Sequence, residues 1–126
     1  IRRMASDLHV PTAIQSVPIV READGLAMSS RNSYLTEEER AQAAQIYRGL
    51  SLARQLFTSG ETSGPALLDR IREYWKEHLP LGSEDYLELV DPATLEPQQT
   101  ATPETLAITA VRLGKARLID NLFLGQ

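Results

Sequence analysis

The hydrophobic period of this chain changes once, and that change limits the architectures open to it. Between Thr36 and Pro80 apolar side chains recur at helical spacing, and from Tyr86 to Leu124 they alternate. Ala43, Ile46, Tyr47, Leu50, Ala53 and Phe57 line one face of a first helix, with Gly60 placed to stop it. Thr36 and Glu39 form a capping box, in which the hydroxyl accepts the Glu39 amide while the carboxylate reaches back to the Thr36 amide. Ser63 as N-cap and Pro65 in the first turn open a second helix. Its face carries Leu68, Ile71 and Trp75, with Leu67, Tyr74 and His78 nearby, and Pro80 ends it. Strands are predicted over Tyr86–Val90, Thr105–Leu113 and Ala116–Leu124, and Pro92, Pro97 and Pro103 keep the stretch between the first two in loop. Gly114-Lys115 has glycine in the first central position, as a type II′ hairpin requires. The implied class is α+β: two helices packed on one face of a small three-stranded, mostly antiparallel sheet.

Upstream the pattern differs. Ile1, Met4 and Leu8 share one helical face from the first residue, and Pro11 closes that helix. Ala13–Val20 is short and mostly apolar, which predicts a buried strand, with Pro18 confining it to an edge or to the strand's end. A helix, a short link and a buried strand make the last unit of an α/β domain. A helix that starts with no cap and no initiator methionine leads to the expectation that the sequence is cut from something longer. The expected division is 1–22 as the tail of a nucleotide-binding domain, 23–33 as a loop and hinge, and 34–126 as a separate α+β domain.

Composition narrows the function classes. The chain has 126 residues, 42% hydrophobic and 24% charged, which fits one globular domain that buries roughly two-thirds of its unfolded surface. A net charge of −4, with basic residues dispersed, argues against nucleic acid or an anionic membrane as partner. No apolar run approaches the roughly 20 residues that span a bilayer, and the opening does not read as a signal peptide. The absence of cysteine removes disulfides and thiolate metal sites and fits a cytoplasmic location.

Between the two patterns lies Arg21–Thr36, READGLAMSSRNSYLT. It combines the turn dipeptide Asp24-Gly25 with Met28, Ser29, Ser30, Arg31 and Asn32. A turn here can present successive amides and two hydroxyls to phosphate oxygens, a nest of donors that holds anions. Arg31 adds a planar, permanently charged fork suited to a departing pyrophosphate. Met28 is soft enough to pack on an adenine face, and Val20 ends the preceding apolar run, where backbone groups can meet the ring. On physics alone such a loop is ordinarily a solvated turn followed by a cap.

The string resembles the ATP-binding signature of the pantothenate synthetase (pantoate–β-alanine ligase) family, where it plays the part of the KMSKS loop of class I aminoacyl-tRNA synthetases. Asp85-Tyr86-Leu87-Glu88-Leu89-Val90-Asp91 and Ala116-Arg117-Leu118-Ile119-Asp120-Asn121 match the family as well, in order, so the resemblance covers nearly the whole chain. Ala27 and Ser30 stand where the synthetase loop has lysines, a substitution shared by the pantothenate branch. The resemblance implies an ATP-dependent ligase. ATP, with Mg²⁺ on its triphosphate, activates pantoate as pantoyl adenylate with release of pyrophosphate, and β-alanine then displaces AMP. It assigns Val20, Met28, Ser29, Ser30 and Arg31 to ATP binding, Arg31 as charge stabiliser, and the domain over 34–126 as a lid. It places the H-x-G-H-type motif, a phosphate-binding lysine and the pantoate and β-alanine pockets in an N-terminal domain. That domain is the implied partner, and a homodimer the implied assembly. The chain alone is then expected to be inactive, with no residue that carries the chemistry and no metal site of its own.

Other residues weigh less. His9 and His78 end helices, where a cation suits the dipole, and Glu37, Glu38 and Glu39 suit a first helical turn. Strand alternation puts Glu88 on the opposite face from Asp85 and Asp91, so these do not form paired carboxylates. Tyr74 and Trp75 read as core anchors. Asp120 and Asn121 interrupt a hydrophobic strand and call for a loop or an interdomain cleft to bond. Two alternatives stay open: another adenylate-forming or nucleotidyl-transferring enzyme of the superfamily, and a non-catalytic docking or oligomerisation module.

Overall fold

The computed structural model describes all residues, 1–126. Helix α1 (Arg2–Asp7) is followed by an extended stretch, a 3₁₀ helix (Ser30–Tyr34), helices α2 (Glu37–Thr58) and α3 (Gly64–His78), and strands β1 (Gly82–Val90), β2 (Leu106–Leu113) and β3 (Ala116–Phe123). The strands pair in sequence order, and both pairings are antiparallel.

Local chemistry sets the element ends. Both halves of the Thr36–Glu39 capping box form, the carboxylate accepting the Thr36 amide at 2.8 Å. At the far end of α2, Gly60 N–H donates to Phe57 and Glu61 N–H to Leu56, a Schellman stop. Ser63 accepts the Ala66 amide to open α3. Gly114 takes φ 57° while Lys115 keeps a negative φ, which makes the β2–β3 connection type II′. His9, at φ 52°, takes the left-handed position after α1, and its amide and that of Val10 satisfy the Ser6 and Ala5 carbonyls. Its capping role is thus a backbone one.

One core joins the helices to the sheet. Ile46, Leu50 and Ala53 of α2 and Leu67, Ile71 and Trp75 of α3 cluster with Leu87, Leu89, Val111 and Leu118. Trp75 donates its indole N–H to the Gln45 carbonyl at 3.0 Å, and the Tyr74 hydroxyl donates to Gln45 Oε1 at 2.6 Å. Both aromatics therefore anchor the helix pair. This is the α+β arrangement that the change of period implies.

Two expectations need correcting. No strand forms over Ala13–Val20; the segment is extended and largely exposed, with Val17 83% and Val20 65% accessible. A strand requires a hydrogen-bonding neighbour. Both pairings of the sheet are made among β1, β2 and β3, while Pro11 and Pro18 lack amide donors. Strand alternation also fails at Asp85. The β1–β2 register shifts between Glu84 and Tyr86, and this bulge places Asp85 on the exposed face with Tyr86 and Glu88, not beside Leu87 and Leu89.

Candidate functional site

The loop that follows the extended segment is built from short hydrogen-bonded pieces. Arg21 and Ala27 form an isolated antiparallel bridge, with Met28 N–H donating to the Val20 carbonyl at 2.9 Å and Glu22 N–H to Leu26 at 2.8 Å. Asp24 accepts the Leu26 amide through one oxygen and the Arg40 guanidinium through the other, at 2.6 Å. That guanidinium holds the Asp24 carboxyl below the usual carboxylate range, and Asp24 in turn raises Arg40. Gly25, at φ 98°, lies against the Tyr47 ring, where a side chain has neither the conformation nor the room. Leu26 is buried and ties the turn to the core.

Arg21 is the clamp of this loop. Its guanidinium meets both oxygens of Asp120 at 2.7 and 2.8 Å, donates to the Gly25 carbonyl at 3.0 Å, and stacks 3.9 Å above the Tyr47 ring. Its side chain is 17% exposed and that of Asp120 4%. The strand-breaking Asp120 is therefore the loop's attachment point, which answers why a charge interrupts β3. Asn121 beside it is exposed and lines the neighbouring groove.

After Met28 the loop turns into the 3₁₀ helix. Ser29 caps it by accepting the Arg31 amide, and the Asn32 side chain donates to the Ala27 carbonyl at 3.1 Å. Asn32 Oδ1 is buried without a partner. The Ser29 and Ser30 amides donate to no group in the chain, and the exposed Arg31 guanidinium meets neither a carboxylate nor a carbonyl. This is a small concentration of unused donors.

Between the loop and β3 lies a groove of about 300 Å³. Ile19, Met28, Ser29 and Arg31 form one wall, Arg117 and Asn121 of β3 the other, and Ile46 of α2 belongs to the lining. Three of the five sequence-predicted residues, Met28, Ser29 and Arg31, thus share a surface. Val20 and Ser30 lie outside it: Val20 is exposed with its carbonyl taken by Met28, and Ser30 is exposed with its carbonyl taken by Ser33. Arg117, Ile19 and Arg21 were not among the residues singled out from sequence. Only Asp120, a charge in an apolar strand, signalled that a partner was needed, and that partner lies 99 positions away.

The remaining candidates are placed elsewhere. Glu39 serves its cap and His78 stacks on Tyr74 with ring centroids 4.3 Å apart. No three His, Asp or Glu side chains gather as a metal site. A larger open groove of about 480 Å³ between α3 and the sheet lies on another part of the surface, with the Arg72–Glu84 pair at its lining. It contains no residue of the loop.

The sequence profile of the Pantoate-beta-alanine ligase family matches residues 1–123. Pantothenate synthetase of Oleidesulfovibrio alaskensis is 56% identical over 124 residues, which is 98% of this chain and 44% of that protein. The Geobacter sulfurreducens pantothenate synthetase is 47% identical over the whole chain, again 44% of its length. The crystal structure of pantothenate synthetase from Thermus thermophilus superposes with a TM-score of 0.92 at 40% identity, covering 99% of this chain and 45% of that one. A pantoate-β-alanine ligase of Francisella tularensis, complexed with β-γ ATP and β-alanine, shares the fold at a TM-score of 0.58 and 22% identity over 99% of this chain and 38% of its own. The chain therefore spans less than half the length of the curated relatives it matches. With the profile running almost from end to end, the chain belongs to the pantoate-β-alanine ligase family.

Proposed function

We propose that this chain forms the ATP-facing wall and lid of a ligase that condenses pantoate with β-alanine. The observation that carries the reading is the groove, where the unpaired Arg31 and the Ser29 hydroxyl face β3 across a space lined by Met28. Residues 1–22 are the tail of a Rossmann-like domain, 23–33 the KMSKS-equivalent ATP loop and hinge, and 34–126 the lid. The exposed Ile1, Met4, Leu8 and Val17 offer an apolar surface suited to packing on the rest of that domain. The homodimer implied by the family lies largely there too, and the setting is cytoplasmic; no helix here is long and apolar enough to cross a membrane.

In the first half-reaction a pantoate carboxylate oxygen attacks the α-phosphorus of ATP. The bond from that phosphorus to the bridging oxygen breaks, and pyrophosphate leaves with the electron pair. The chain's part is positioning and charge: the Ser29 and Ser30 amides and hydroxyls donate to phosphate oxygens, and Arg31 neutralises the leaving pyrophosphate. Met28 packs on adenine, and Val20, whose N–H donates to nothing in the chain, meets the ring edge. Mg²⁺ arrives on the triphosphate as part of the substrate. In the second half-reaction the β-alanine amine attacks the acyl carbon and AMP departs. Closure of the loop excludes water from the adenylate. The Asp24–Arg40 pair that holds the turn is about one-third exposed, so opening it is cheap.

The test is ATP–pyrophosphate exchange on the full-length parent, with and without pantoate, in the absence of β-alanine. Exchange that needs pantoate supports the reading. Exchange with a different acid keeps the adenylate-forming superfamily and discards the substrate. Silence with every acid leaves a docking module. This chain on its own is expected to show no ligation.

A further inference from the structure

Arg117 lines the same groove as Met28, Ser29 and Arg31, on the β3 wall opposite them. Its Nε donates to Asp85 Oδ2 at 2.7 Å, and its guanidinium carbon lies 5.8 Å from the centroid of the Tyr86 ring. Asp85 reaches that position only through the β1 bulge; a regular strand turns it toward the core with Leu87 and Leu89. The carboxylate therefore fixes the guanidinium by its inner nitrogen. The outer nitrogens, Nη1 and Nη2, donate to no group in the chain, and the side chain is 44% exposed. A guanidinium carries five N–H donors, so most of this fork is available to an anion. Charge points the same way. Arg112 sits opposite Arg117 in the β2–β3 register and lies 3.5 Å from the other Asp85 oxygen, so two arginines share one carboxylate. Together with Arg31 this leaves a local excess of positive charge on a chain whose net charge is −4.

We infer that Arg117, which lines the groove shared with Arg31, is a second phosphate-binding guanidinium of the ATP site, positioned by Asp85. This rests on the ligase reading above and deepens it. Two guanidinium groups lining one groove offer a triphosphate chain donors at more than one oxygen, and charge-assisted contacts of this kind are the strong ones. The competing account is purely structural: Asp85 relieves the repulsion of Arg112 and Arg117 where they face each other across the strands.

The test uses the full-length parent and pantoate-dependent ATP–pyrophosphate exchange, comparing wild type, Arg117→Gln, Arg117→Lys and Asp85→Asn. Arg117→Gln is expected to raise KM for ATP by about tenfold or more, the size of a lost charge-assisted bond, with KM for pantoate within about twofold of wild type. Arg117→Lys keeps the charge without the fork and should fall between. Asp85→Asn, which removes the holder but leaves the cation, should raise KM for ATP, by less than Arg117→Gln does. Urea midpoints of all variants separate folding from binding. An active wild type with unchanged KM for ATP in Arg117→Gln overturns this inference alone. Equal rises for Arg117→Gln and Asp85→Asn, with equal losses of stability, also overturn it and favour the structural account. A wild type with no pantoate-dependent exchange removes the ligase reading, and the inference goes with it.

Discussion

Arg21 and Arg31 are separated by ten positions and live in opposite environments. Arg21 is half-buried, bidentate to Asp120 and stacked on Tyr47, whereas Arg31 is exposed and unpaired. The first is therefore a fastener and the second a free charge. Replacing Arg31 by alanine should leave stability within about 0.5 kcal/mol of wild type. It should lower pantoate-dependent exchange in the full-length parent on the order of 10²-fold, the range for losing one donor to developing charge. Full activity after that replacement removes the charge role. Asp120→Ala has the reverse signature. It strands a half-buried guanidinium, so the chain should lose about 3 kcal/mol in urea unfolding, near the low end for a broken buried pair because Arg21 retains some exposure. The residue types of the proposed ATP loop were legible in the sequence, since Met28 through Arg31 are contiguous. Arg117 was not, because its value comes from a bulge that alternation does not reveal and from a groove wall contributed by the opposite end of the chain.

At the scale of elements, α2 and α3 were readable nearly to the residue because their signals are local. A cap, an apolar stripe and a stop each act within a few residues of backbone, so Thr36, Glu39, Gly60 and Ser63 announce what they do. How closely the helices approach is another matter. Gly49 lies directly beneath the Trp75 indole, and a methyl there would collide with the ring that donates to Gln45. Gly49→Ala should be destabilising by about 1–2 kcal/mol, the overpacking cost outweighing the roughly 1 kcal/mol that alanine gains over glycine in a helix. A urea midpoint at or above wild type shows that Trp75 can move aside. The Ala13–Val20 stretch shows the converse limit. Its composition suits a strand, but a strand is completed by its neighbour, and here neither sheet edge takes it.

Over the whole molecule, stability toward acid follows from three carboxylates. Asp24 is lowered chiefly by Arg40, Asp85 by Arg117, and Asp91 by the backbone amides of Thr94 and Ala93. A folded-state pKa below the unfolded value means these contacts contribute fully above the ordinary aspartate value of 3.8 and fade as pH falls through the depressed folded values. Urea midpoints should therefore show no loss from these groups between pH 7 and about 5, then decline below about 4. Asp24→Asn should shallow that decline, and an unchanged slope excludes the Asp24–Arg40 pair as a contributor. The two helices, the three strands and the hairpin type are properties of short stretches, and the sequence by itself determined them through period, caps and glycine placement. The groove, the Arg21–Asp120 clamp and the register shift at Asp85 depend on residues as far as 99 positions apart meeting across the core. Only the tertiary structure decided these, because the free energy of such a contact belongs to the pair and to the burial that brings it together, and neither is written in either partner's local sequence.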